Sequence, residues 1–150
     1  MARAQNLKWD ERAGVADNAR RELPRLVRVY FSQVRAFLAA DATPRKLHRL
    51  RLASKRLRYT LELFRACYPA GLEDRLDALK VLQDSLGEVN DAVASADLLR
   101  GALKRQPKVR KFLEGRAAEH AAEFARHWKE TFDAPGREAW WTSFLARPAK

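Results

Sequence analysis

Apolar residues recur three and four positions apart over most of the chain, the period of helices that bury one face. From about Glu11 to Ala40 the stripe is Val15, Ala19, Leu23, Leu26, Val27, Tyr30, Val34, Phe37 and Leu38. Pro24 lies inside it and predicts a kink or a split, because proline removes a backbone donor and crowds the preceding turn. Thr43 and Pro44 suit the N-cap and first position of a second helix. That helix is expected to run to about Cys67, where Pro69, Ala70 and Gly71 end it. A third pattern runs from about Glu73 to Arg105, with Leu79, Leu82, Leu86, Val89 and Val93 on its buried side, and stops at Gln106 and Pro107. A fourth, from about Lys108 to Phe132, carries Val109, Phe112, Leu113, Ala117, Ala121, Phe124, Trp128 and Phe132. Asp133 to Gly136 turns the chain into a short aromatic segment with Trp140, Trp141, Phe144 and Leu145, expected to cap the bundle or an interface. The pattern predicts one all-α domain over residues 1–150: a four-helix bundle-like repeat of long amphipathic helices with a short C-terminal helical segment. No internal repeat or low-complexity segment stands out.

Charge sharpens this picture on the second helix. At 100° per residue, His48, Arg51, Lys55 and Arg58 fall within one arc of about 80°, while Leu50, Ala53, Leu57, Leu61 and Phe64 fall on the other side. Neighbours in such a row sit about 5–6 Å apart and repel one another, so a row without interleaved acids needs a reason. Arginine grips phosphate oxygens with a planar fork, lysine acts as a point charge, and His48 donates one N–H when neutral and two when protonated. The row can therefore track a repeating anion. The whole chain agrees: 30 Lys and Arg against 19 acids give a net charge of +11 in 150 residues. That balance predicts an anionic partner: nucleic acid, polyphosphate or an acidic membrane surface.

Other features narrow the classes. No apolar run reaches the ~20 residues of a membrane span, and Arg3 and Lys8 are not followed by the apolar core of a signal peptide. Cys67 is the lone cysteine, so the chain has no internal disulfide framework, which suits a reducing cytoplasm. Cys67 reads as a small packed side chain. Arg21, Arg25, Arg28 and Arg35 add a basic stripe to the first helix. On the third, Lys80, Asp84, Gly87 and Asp91 share one face. Asp84 and Asp91 are expected to orient cations of the second helix, and Gly87 to let another helix approach closely. His48, Asp84, Glu88 and Asp91 lack any close-spaced ligand motif, and His120 and His127 read as packing or surface residues, so no metal or other cofactor is expected. There is no Gly-rich phosphate loop, no GxSxG and no activated nucleophile. The residues themselves point to a binding module without catalysis.

The run LHRLRLASKRLRYTLELF from Leu47 to Phe64, followed by LKVLQDSLGEVNDA from Leu79 to Ala92, resembles the CHAD family, the conserved histidine α-helical domain. The paired motifs, with their Pro–Gly break, carry the likeness over residues 47–92. Elsewhere it is one of outline: a preceding helix with arginines and a following amphipathic helix with Gly115 and Arg116. The resemblance implies an all-α fold that binds inorganic polyphosphate in a basic channel, with His48, Arg51, Lys55, Arg58 and Lys80 at the anion-binding positions. Arg21, Arg25 and Arg28 are expected to join from the first helix, and Arg56 to lie at the edge of the row. A typical member holds two such repeats about a pseudo-two-fold axis, whereas this sequence holds one. Members are often fused to a triphosphatase-type domain marked by an ExExK motif. None occurs here, so that activity is not implied.

These readings leave a non-catalytic polyphosphate-binding module as the leading function. A nucleic-acid-binding helical protein is the alternative, weakened by a basic face with one aromatic, Tyr59, and no stacking platform. A phosphate-chain hydrolase stands third, for want of a metal and carboxylates at the basic groove. A homodimer is expected, since a two-fold axis would restore a second basic helix and Trp140, Trp141 and Phe144 would form an interface patch.

Overall fold

The computed structural model describes residues 7–149. It is all-α: α1 spans Val15–Ala39, α2 Pro44–Leu63, α3 Leu72–Leu99, α4 Pro107–His127 and α5 Arg137–Leu145, with no strand among the described residues.

The entry into α1 is fixed by Asn18. Its side-chain amide donates to the carbonyls of Asp10 (3.0 Å) and Gly14 (3.1 Å), and its side-chain oxygen accepts from the Asp10 backbone N–H (2.9 Å). The helix therefore begins at Val15 rather than Glu11, because the residues before it are held as a loop. Pro24 does not split α1, which continues through it. The carbonyl it leaves without a partner belongs to Arg20, which is exposed, so water can serve that oxygen.

Thr43 caps α2 by accepting from the Lys46 backbone N–H at 3.2 Å, ahead of Pro44. The helix ends at Leu63, and one 3₁₀ turn, Arg65–Cys67, carries on to the Pro–Gly break. Gly71 turns the chain into α3 with φ of 86°, a left-handed conformation that disfavours other residues, and an added Cβ would meet the Phe144 ring at 2.9 Å. α3 ends at Leu99, short of Arg105, and a 3₁₀ turn over Ala102–Arg105 leads to Pro107 at the start of α4. α4 closes in a π turn, Trp128–Phe132, where the Asp133 N–H donates to the Trp128 carbonyl at 2.7 Å.

Consecutive helices pack in the order α1–α2–α3–α4, and α5 returns to lie on α1. The core gathers Tyr30 and Phe31 of α1, Trp128 and Phe132 of the π turn, and Trp141 of α5, all essentially inaccessible to solvent. Trp128 stacks on Phe132 at 5.0 Å between centroids. Tyr30 satisfies its hydroxyl with Ser54 of α2 at 2.7 Å. Cys67 is buried in the same core.

The aromatic segment caps the bundle and makes no exposed patch, which removes that argument for an interface. Trp141 is wholly buried, and Trp140 and Phe144 pack around Arg75 of α3, whose guanidinium carbon lies 3.6 Å and 3.7 Å from their ring centroids. Arg75 also donates to the carbonyls of Gly71 (2.9 Å) and Trp140 (2.7 Å). Burial, aided by the neighbouring Arg137 charge and opposed by Asp74, pulls its pKa down to about 10, which leaves it charged near neutrality. The far end of the α3–α4 hairpin has little covering it, and Leu98 and Phe112 stand 84% and 62% exposed.

Candidate anion-binding site

α2 holds the strongest concentration of cations in the chain. Arg45, Lys46, Arg49, Arg51, Lys55, Arg56 and Arg58 share the helix with one acid, Glu62. The helix has two flanks. Toward α1, Lys46, Arg49, Leu50 and Ala53 line an open cavity of about 430 Å³ with Gln33, Ala36, Phe37 and Ala40. The row of His48, Arg51, Lys55 and Arg58 lies about 80–180° round the axis from those residues at 100° per residue. It is thereby turned away from the α1-facing cavity. Leu47, Leu50, Ser54, Leu57 and Leu61 are buried and fix that orientation. Arg51, Lys55 and Arg58 are half-buried and His48 is exposed.

Few of these cations are neutralised. Arg58 lies 3.5 Å from Glu62 Oε1, and its guanidinium sits 5.1 Å from the Tyr59 ring centroid. Its Nε is buried without a hydrogen-bond partner. His48, Arg51, Lys55 and Lys80 make no side-chain ion pair or hydrogen bond among the described residues. An unpaired, half-buried guanidinium keeps its full complement of donors free for an anion.

The arginines of α1 are arranged differently. Arg25 donates to Glu22 at 2.7 Å, and Arg21 lies within 3.8 Å of Asp10 and 3.5 Å of Glu22. Arg35 grips Asp133 through two bonds of 2.6 and 2.8 Å and reaches Glu138 at 2.6 Å. These partners are why the stripe is affordable on one helix: three of its four cations are spent within the fold. Burial works against the charged form of Glu22, but the bonds from Arg25 and the Lys8 backbone outweigh it and hold the carboxyl below its usual range. Arg28 alone of the four is exposed and without such a partner. No hydrogen bond or ion pair links Arg21, Arg25 or Arg28 to the row among the described residues.

On α3, Lys80 and Asp84 are exposed, and neither Asp84 nor Asp91 forms an ion pair with any cation of α2. The orienting bonds expected of these two acids are therefore not made in this structure. Asp91 instead lines a cavity of about 400 Å³ between α3 and α4, with Arg116 and His120. Gly87 is not a close-approach glycine, since an added Cβ would meet nothing within 4 Å. The sequence reading missed the α1-facing pair Lys46 and Arg49. Their signal was present as basic residues on the same helix, but only the placement of α1 tells one flank from the other.

The fold is that of an all-α domain whose second helix presents largely unpaired cations. A family model for the CHAD domain matches residues 2–100, and the chain belongs to the CHAD family. The match takes in α1, α2 and α3 and stops short of α4. No curated protein and no solved structure matches the chain.

Proposed function

We propose that this domain binds inorganic polyphosphate, without catalysis, along the basic row of α2, through His48, Arg51, Lys55 and Arg58 with Lys80 alongside. The observation that carries the reading is the row itself: basic residues one helical turn apart, Arg51, Lys55 and Arg58 half-buried by packing and His48 exposed, with one acid on the whole helix. A linear polyanion offers charge at a regular spacing, and spaced charge is what such a row recognises. Arg28 of α1 is exposed and open to a longer ligand, whereas Arg21 and Arg25 would first have to leave Asp10 and Glu22. A nucleic acid is the second reading, favoured by Tyr59, which is 48% exposed beside Arg58.

Titration with long-chain polyphosphate, in competition with DNA and RNA at equal phosphate, tests the proposal. Polyphosphate should displace both, and Arg51→Ala should weaken binding without moving the melting temperature, since Arg51 has no partner to lose. Displacement in the reverse order would favour the nucleic acid. Binding unchanged in Arg51→Ala would remove the row from the site. We also propose that two copies assemble, so that two rows face one ligand. The exposed Leu98 and Phe112 at the end of the α3–α4 hairpin offer apolar surface for a second copy. Sedimentation with and without polyphosphate should show a dimer, and a monomer in both conditions would reject it.

A further inference from the structure

The contact between α3 and α4 carries a second cluster. His120 of α4 is 22% exposed at its side chain, and its Nδ1 is fully shielded and without a hydrogen-bond partner. Glu88 of α3 places Oε2 3.6 Å from that nitrogen, and Glu123, one turn along α4, places Oε2 3.8 Å from it. One ligand atom from each of the three residues lies within 4.8 Å of the others. These separations are too long for hydrogen bonds, which span about 2.7–3.2 Å. They are close to the spacing of donors around a shared ion: bonds of about 2.0–2.1 Å in tetrahedral geometry set neighbouring ligands roughly 3.3 Å apart. Two carboxylates that converge on one shielded imidazole nitrogen repel each other. A cation between the three groups is attracted to both carboxylates and takes the nitrogen as a further ligand. The two carboxylates are more than half exposed and free to move in toward a shared ion. Asp91 and Arg116, which line the adjoining cavity, carry opposite charges and largely offset each other there.

We propose that Glu88, His120 and Glu123 bind one divalent transition-metal ion of the zinc class and clip α4 to α3. Imidazole with two carboxylates suits such ions, and three protein ligands leave one position open to water. None of its three ligands belongs to α2, and two of them stand beyond the residues matched by the family model. Along the sequence only His120 and Glu123 stand together, one turn apart on α4, and the third donor, Glu88, comes from another helix. The clip would fasten the hairpin beside Val89 and Phe124, at the edge of the core.

Cobalt(II), a spectroscopic stand-in for zinc, tests this on the full chain. One equivalent should give a visible ligand-field band of tetrahedral type, and zinc should remove it by competition. Zinc should also shift the His120 ring resonances in NMR while leaving those of His48 unmoved. Glu88→Gln and Glu123→Gln, which keep size and should keep the fold, should each weaken binding by at least the roughly 10–100-fold that loss of a supporting partner costs. His120→Ala should abolish the band, and Glu119→Gln, on the exposed side of α4, should leave it intact. Binding of equal strength in the parent and in both glutamine variants, or zinc shifting His48 while His120 stays still, would overturn the proposal. So would the absence of any band at one equivalent.

Discussion

Arg51 and Arg75 show how environment divides one residue type into two uses. Arg51 is half-buried and without a partner, and its donors face outward from α2. Arg75 is held between Trp140 and Phe144 and bonds two carbonyls. A lysine in its place would keep the charge and lose the planar stacking and the fork. Arg75→Lys should therefore cost about 1–3 kcal/mol, read by urea unfolding, with polyphosphate affinity unchanged. Glu22 gives a pH dependence. Its carboxyl is held below the usual range in the fold, so the stability it contributes is complete above the ordinary carboxylate value, about 4.3. That stability is lost as pH falls through the lowered value. Glu22→Gln should lower stability near neutrality and flatten the acid side of the stability–pH curve. Parallel curves for the two proteins would show that Arg25 and Lys8 do not set this carboxyl.

At the scale of the element, legibility followed locality. α2 could be read closely because its signals are its own: Thr43 as cap, Pro44 behind it, and cations set against leucines on one turn after another. The end of α3 could not, since Leu98 and Leu99 continue the apolar pattern past the point where neighbours cover the helix. Its stop depends on what packs there. The stripe of α1 is opaque for the same reason, because Arg35 finds Asp133 and Glu138 about a hundred positions away. Gly87 was read as a contact glycine, and its surroundings are empty. A helical glycine with open space beside it costs stability and adds no packing, so Gly87→Ala should stabilise α3 by roughly 0.5–1 kcal/mol. Thermal unfolding would show it, and a loss of stability would mean that the backbone at Gly87 is under a constraint the packing does not explain.

Across the whole molecule the charge of +11 acts in two directions. Self-repulsion among unpaired cations opposes the compact state, and salt screens it. The same salt competes with a polyanion for the row. Raising ionic strength should therefore raise the melting temperature of the free domain while weakening its hold on polyphosphate. Melting curves and titrations in one salt series would check both signs, and a binding constant indifferent to salt would rule out recognition by charge. Domain class and the basic helix were legible because both rest on periodicity. The pairing of α5 with α1 and the α3–α4 cavity were not, because distant segments make them. The length of the row on α2 has one more consequence. From His48 to Arg58 the row advances about 15 Å at 1.5 Å per residue, which makes it a ruler. A phosphate chain shorter than that span leaves cations idle, and each added unit should raise affinity steeply. Once the ruler is filled, further units add only alternative registers, and the gain per unit should fall to the slow statistical growth of one lattice sliding along another.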